Sequence, residues 1–295
     1  KKLGKTTYLS IQTVYAVCFV DAFVYGGSIG KSYFFAFGND SERKKMEKTE
    51  EMKENGKTSK IEPALYLIPV TLGKTSFDRV LPSYNHDIIV NIRHFIVENI
   101  RSACKFLSRI DPLIHTDELV FYELSEHTEK KSIGNYFDPL LKGEPMGVIS
   151  EAGCPGVADP GADAVEIAQR KNLKVIPLVG PSSILMALMA SGFNGQNFAF
   201  NGYLPVKVQE RQAKLKQLET RVYKENQTQL FIETPYRNRQ VFESVLAVCR
   251  PETKVCFAAG ITCQEEFIKT KTVSEWKKSG IPELGKVPAI FLLYR

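Results

Sequence analysis

The segment that most constrains this chain is residues 150–161, SEAGCPGVADPG, which holds three glycines and two prolines within twelve positions. Glycine weakens helices and strands, and proline cannot continue either of them, so this composition excludes the interior of a regular element. The sequence therefore predicts a shaped loop whose backbone approaches another group closely. A tight surface turn is the alternative that the composition alone leaves open.

This loop lies between two apolar runs. Residues 146–149 (MGVI) precede it, and residues 174–179 (KVIPLV) follow it and end in GPSS at 180–183. Such an order is typical of a strand–helix–strand unit. Because ligands bind at the carboxyl ends of strands in α/β proteins, the pattern favours a ligand site at the 150–161 loop.

Apolar runs and helical spacing alternate along the rest of the chain. In the first part we predict strands at residues 65–70, 88–92, 119–122, 146–149 and 175–179, with helices at 97–107 and 162–170. In the second part we predict helices at 184–191 and 210–226 and strands at 198–203, 229–233, 254–258 and 289–294. The alternation predicts an α/β fold, with a mostly parallel first sheet that carries helices on both faces.

Composition divides the chain into three segments. Residues 1–60 combine an interrupted apolar stretch with a Lys- and Glu-rich stretch, and we expect an N-terminal extension and charged linker there. The remaining length suits two domains, which we place at residues 61–180 and 181–295. The apolar stretch is broken by Asp21 and by the Gly26–Gly27 pair, so we expect no membrane span.

Charge and cysteine usage narrow the class of protein. A formal charge of +6 over 295 residues fits an anionic partner such as RNA, and ordinary solubility explains it equally well. The six cysteines form no CxxC pair, so we expect free thiols, a cytoplasmic location and no metal site. The patterns GxGxxG, GxxxxGK[ST] and GxSxG are absent, which disfavours nicotinamide enzymes, ATP enzymes and serine hydrolases.

Residues 150–161 resemble the SDAGTPGxxDPG signature of the tetrapyrrole methylase superfamily, and more narrowly its branch of 16S ribosomal RNA cytidine 2′-O-ribose methyltransferases. Other segments resemble motifs of that branch in the same order: residues 65–73 (LYLIPVTLG), 97–101 (VENIR), 123–127 (ELSEH), 178–183 (LVGPSS), 198–205 (FAFNGYLP) and 231–237 (FIETPYR). The chain has Glu151, Cys154 and Asn99 where the branch has Asp, Thr and Asp.

The resemblance implies two α/β domains of the tetrapyrrole methylase type, with S-adenosylmethionine in the cleft between them, and a homodimer. It implies ribosomal RNA as substrate, methylated at a ribose 2′-hydroxyl. Carried over position by position, it assigns cofactor binding to residues that end strands or line the loops after them: Pro69, Gly73, Ser150, Gly153, Cys154, Pro155, Val157, Ser182, Ser183, Phe231, Ile232, Ala258, Ala259, Pro288, Ala289 and Ile290.

The methyl acceptor requires a base, because a ribose hydroxyl is a poor nucleophile until its proton is taken. The matching motifs offer Glu98, Glu126 and His127 as candidates for this catalytic role. Arg101 is the candidate to clamp a phosphate or to orient Glu98. An ordinary surface pair, with Glu98 and Arg101 three positions apart on one helix, is the alternative.

Two further functions remain open from the sequence. One is methylation of a corrin or porphyrin precursor at carbon on the same fold, and the other is a non-catalytic module that binds RNA or a protein. Basic residues on and beside the predicted 210–226 helix would contact RNA or form a solvated face: Lys207, Arg211, Lys214 and Lys216.

Overall fold

Two five-stranded sheets organise the part of the chain that the structure describes. The computed structural model describes residues 61–125, 128, 133–283 and 287–295, so the expectation for residues 1–60 lies outside the described residues. The first sheet contains β1 (Leu65–Ile68), β2 (His94–Val97), β3 (Val120–Glu123), β4 (Met146–Ile149) and β5 (Val175–Pro177). Its order is β3-β2-β4-β1-β5, and all its pairs are parallel.

Helices cover both faces of the first sheet, as the alternation predicts. On one face lie α1 (Ser83–Ile89) and α2 (Ile100–Ile110), and on the other lie α3 (Asp138–Leu141) and α4 (Gly161–Arg170). Alternate residues of a strand point to opposite faces, so Tyr66 packs with the first pair of helices and Leu65 with the second. Burial on both faces accounts for the continuous apolar composition of β1 and β4.

The second sheet is mixed rather than parallel. It contains β6 (Phe198–Tyr203), β7 (Thr228–Glu233), β8 (Lys254–Ala259), β9 (Phe267–Thr272) and β10 (Ala289–Tyr294), in the order β6-β7-β10-β8-β9. Only the β6–β7 pair is parallel within this sheet. One face packs α6 (Val208–Glu225), α7 (Asn238–Val248) and α8 (Val273–Ser279), and the other packs α5 (Ser183–Ser191).

Most predicted elements are confirmed, but the elements assigned between β1 and α2 were wrong. Residues 88–92 do not form a strand; Ile88 and Ile89 end α1, and the strand is His94–Val97. The helix predicted at 97–107 begins at Ile100, because Asn99 caps it by accepting a hydrogen bond from the Ser102 amide. No element was predicted at α3, α7, α8 or β9. Among the described residues, no helix has the length and apolar character required to cross a membrane.

Candidate functional site

A cavity of about 320 Å³ lies where the carboxyl ends of the first sheet meet β6 and β7 of the second. Since β4 lies between β2 and β1, the loop after β4 is flanked by the segments that follow those two strands. The lining comes from these segments, from the start of α5 and from the second sheet: Leu72, Glu98, Ser150, Glu151, Ala152, Gly153, Cys154, Val157, Ala158, Asp159, Ser182, Ser183, Ile184, Tyr203 and Ile232.

The 150–161 loop holds its shape through backbone conformations that its sequence permits. Gly153 and Gly156 have φ angles of +73° and +82°, a region that residues with side chains seldom adopt. Asp159 braces the turn, because its Oδ1 accepts hydrogen bonds from the amides of Gly156 (2.8 Å) and Gly161 (2.7 Å). The predicted shaped loop is therefore confirmed, and the surface-turn alternative is wrong because the loop lines a cavity.

Two neighbouring loops hold the 150–161 loop in place. The Val70 amide donates a 2.9 Å hydrogen bond to the Gly153 carbonyl, which ties it to the loop after β1. The Cys154 thiol lies 3.4 Å from the carbonyl oxygen of Pro181, which ties it to the segment after β5. Burial, and to a smaller extent the charge of Asp159, raises the pKa of the Cys154 thiol, so it remains a neutral donor at neutral pH.

The cavity wall carries three carboxylates, from Glu98, Glu151 and Asp159, and none of its described lining residues is basic. The Glu151 amide donates a 3.0 Å hydrogen bond to Oε2 of Glu98. Ser102 Oγ donates a 3.1 Å hydrogen bond to Oε2 of Glu151. Within the described residues, no group of three or more His, Cys, Asp or Glu side chains has the arrangement of a metal site.

Seven of the residues predicted to bind a cofactor line the cavity: Ser150, Gly153, Cys154, Val157, Ser182, Ser183 and Ile232. The other nine stand outside the described lining. Pro69 abuts Gly180, Gly73 abuts Cys263, and Ala258 and Ile290 pack behind Ile232. Phe231, Ala259 and Ala289 face the opposite core, and Pro155 and Pro288 lie in the adjoining loops.

The candidate catalytic residues have different positions. Glu98 lines the cavity directly after β2. Arg101 is exposed in the first turn of α2 and is not among the described lining residues. The alternative that placed both on one helix is wrong, because Glu98 precedes the Asn99 cap. Glu126 and His127 lie outside the described residues.

Seven lining residues were absent from the sequence-based assignment: Leu72, Glu151, Ala152, Ala158, Asp159, Ile184 and Tyr203. Their motifs were recognised, so adjacency to assigned residues was the available signal. The proposal that Arg211 contacts RNA or solvent was wrong. Its side chain is 2% exposed and donates to Ser244 Oγ (3.0 Å) and to the Val206 carbonyl (2.7 Å).

Comparison with solved structures places the fold in a class. The crystal structure of the methyltransferase CobJ superposes with a TM-score of 0.53 at 15% identity, covering 79% of this chain and 94% of that one. With its two sheets, the protein has the fold of the tetrapyrrole methylases, as the resemblance implies.

Comparison with curated proteins identifies the family, although no family model matches the chain. Ribosomal RNA small subunit methyltransferase I of Vibrio cholerae is 30% identical over 215 residues, which are 72% of this chain and 70% of that protein. The Streptococcus pyogenes (serotype M6) protein of the same name is 29% identical over 74% of this chain and 72% of its own length. The chain therefore belongs to the ribosomal RNA small subunit methyltransferase I family, and it is a methyltransferase.

Proposed function

We propose that this protein transfers a methyl group from S-adenosylmethionine to a ribose 2′-hydroxyl of small-subunit ribosomal RNA. The observation that carries the proposal is the cavity, whose wall combines the signature loop with the carboxylate of Glu98. The names of the relatives support the RNA substrate. The net charge of +6 is compatible with a polyanionic partner.

The residues around the cavity fit the proposed cofactor. Apolar side chains of Leu72, Ile184 and Ile232 suit an adenine ring, and the carboxylates suit a cationic ligand. Ser150 Oγ is buried and has no hydrogen-bond partner among the described residues, so it is available to a ligand. When bound, S-adenosylmethionine supplies a methyl group on a sulfonium that leaves by in-line displacement, so catalysis depends strongly on positioning.

Within this proposal, the seven predicted residues that line the cavity contact the cofactor, and the other nine shape the wall behind it. Gly180 and Gly73 allow adjoining loops to approach each other closely. A Cβ at Gly180 would overlap Pro69, and a Cβ at Gly73 would overlap Cys263. The two domains we propose, 61–180 and 181–295, then each contribute one part of the wall.

Glu98 is the proposed general base. Its carboxylate faces the cavity, and the Glu151 amide holds Oε2, so the side chain has a defined orientation. It takes the proton of the ribose hydroxyl as the oxygen forms its bond to the methyl carbon. Arg101 on the first turn of α2 is proposed to bind an RNA phosphate, since arginine forms charge-assisted hydrogen bonds with phosphate oxygens. Glu126 and His127 remain proposed as partners in the same step.

The proposed assembly is a homodimer in the cytoplasm. In support of the dimer, α5 exposes 51% of Leu185 and 81% of Met189, which lie four positions apart and therefore on one helical face. In support of the location, the described cysteines are free thiols. Light scattering of the protein and of a Leu185→Glu, Met189→Glu variant tests the dimer, which the double variant should dissociate.

Methyl transfer to RNA is the direct test of the proposed function. Small ribosomal subunits that lack ribose methylation are incubated with the protein and tritiated S-adenosylmethionine, and the RNA is then digested to nucleosides. Label in a 2′-O-methylated nucleoside supports the proposal. A parallel reaction contains a porphyrin precursor in place of the subunits, and label only in that precursor supports the small-molecule alternative. Binding of RNA without any transfer supports the non-catalytic module.

A further inference from the structure

The charged side chains that line the cavity are all acidic. Glu98, Glu151 and Asp159 contribute carboxylates, whereas none of the described lining residues is Lys, Arg or His. The chain as a whole carries a net positive charge, so this local excess of negative charge is opposite in sign to the average of the protein. Field lines concentrate in clefts with low-dielectric walls, so such a cavity attracts cations and repels anions.

Hydrogen bonds fix the positions of two of these acidic residues. The Glu151 backbone amide donates to Oε2 of Glu98, and both residues line the cavity. Ser102 Oγ donates to Oε2 of Glu151 and orients that carboxylate from α2.

A separate feature points to a ligand at the same place. Ser150 is 6% exposed and lines the cavity, and its Oγ has no hydrogen-bond partner among the described residues. A buried hydroxyl without a partner is costly, so its presence indicates a group that binds there. Asp159 Oδ2 is likewise buried without a partner, while Oδ1 braces the loop.

We propose that this wall distinguishes the cofactor from its product by charge: the cationic sulfonium form binds more tightly than the neutral thioether, S-adenosylhomocysteine. The inference rests on the proposed function. In the transfer, the bond from sulfur to the methyl carbon breaks and its electron pair stays on sulfur. The acceptor oxygen forms the new bond and its proton passes to the base, so the ligand that remains has lost one positive charge and with it the attraction to the carboxylates.

Isothermal titration calorimetry of the full chain with each of the two ligands tests this inference. Glu151→Gln removes one charge and keeps a hydrogen-bond acceptor for Ser102. We expect it to weaken S-adenosylmethionine binding about three- to fivefold, the range of an exposed charge pair, and to change S-adenosylhomocysteine binding less than about twofold. Glu166→Gln on α4 is the matched control, because Glu166 pairs with Arg170 on the surface and should leave both affinities unchanged.

A measurement without substitutions checks the same point. Raising sodium chloride from about 0.05 to about 0.5 M should weaken binding of the cationic ligand more than that of the neutral one, since salt screens exposed charges. If Glu151→Gln and salt affect both ligands equally, or neither ligand, the charge inference is overturned while the proposed cofactor stands. If the unaltered protein binds neither ligand, the proposed function fails and this inference fails with it.

Discussion

The backbone amide of Glu151 lies 3.0 Å from Oε2 of Glu98, although the two residues are 53 positions apart in the chain. This hydrogen bond joins the segment after β2 to the loop after β4, because those strands are neighbours in the sheet. It leaves the Glu98 carboxylate oriented at the cavity wall. The proposed base and the proposed cofactor loop are thus positioned by one contact.

Glu98→Gln isolates the charge of the proposed base. The amide oxygen of glutamine still accepts the hydrogen bond from Glu151, so the loop should keep its position. We expect the single-turnover rate of methyl transfer to fall about 10²- to 10⁴-fold, the usual contribution of a general base. The dissociation constant of S-adenosylmethionine should change less than about fivefold. A rate within about threefold of the unaltered protein would remove Glu98 from the base role.

Gly153→Trp should abolish cofactor binding without unfolding the protein. A Cβ at this position would lie 3.2 Å from Leu72 and 3.3 Å from the Pro181 carbonyl, so a larger side chain must enter the cavity. Gly143→Trp is the matched control, since Gly143 also has a positive φ angle, +85°, but open space around it. Both variants carry about 1–2 kcal/mol of backbone strain, so strain does not account for a difference between them. Calorimetry should show cofactor binding by Gly143→Trp and none by Gly153→Trp. Retained affinity in Gly153→Trp would mean that the cofactor binds elsewhere.

Gly180→Ala tests the close approach of two loops. The added Cβ would overlap the side chain of Pro69, and a proline ring fixed by its own backbone cannot move aside easily. We expect the free energy of unfolding to fall by about 1–3 kcal/mol in urea denaturation. Gly195→Ala provides the comparison, because nothing lies within 4 Å of its Cβ position, and should change stability by less than about 0.5 kcal/mol. Equal stability of the two variants would contradict the packing of these loops.

Local chemistry explains which parts of the fold the sequence predicts. Proline fixes its φ angle and glycine permits positive φ angles, so the loop at residues 150–161 was recognisable before its surroundings were known. The strand predicted at residues 88–92 was wrong because a short buried apolar run is compatible with a strand or with the end of a helix. The start of α8 was predictable from Thr272 and Glu275, which form a capping box, but its polar neighbour β9 lacks an apolar pattern.

The candidate site likewise has parts that a local motif predicts and parts that depend on packing between distant segments. Ser150 and Ser182 were predicted to bind a cofactor from their motifs alone, and the structure has both in the cavity wall. The bond from Ser102 to Glu151 spans 49 positions and depends on how α2 packs beside β4, which no local pattern specifies. Glu98 was assigned to a helix because the capping role of Asn99 was overlooked.

Cys249 makes stability depend on alkaline pH. Burial, together with the nearby charge of Glu219, raises the pKa of its thiol from 9.0 to about 12. Because the folded state then holds the proton more tightly than the unfolded chain, the free energy of unfolding falls as pH rises from 9 towards 12. Between about pH 8 and pH 10, the unaltered protein should lose about 1.4 kcal/mol more than Cys249→Ala in denaturant titrations. Parallel losses in the two proteins would assign the pH dependence to other groups.

Arg211 should contribute to stability rather than to RNA binding. Its guanidinium is buried against α7 and donates to Ser244 Oγ and to the carbonyl oxygens of Pro205 and Val206. Arg211→Met removes the donor from the buried Ser244 Oγ and from the Val206 carbonyl, while Arg237 still donates to the Pro205 carbonyl, so the free energy of unfolding should fall by about 1–3 kcal/mol. Lys216→Met removes the same charge from the exposed side of α6 and should change stability by less than about 0.5 kcal/mol. If Arg211→Met were as stable as Lys216→Met and bound RNA more weakly, Arg211 would instead belong to the RNA-binding surface.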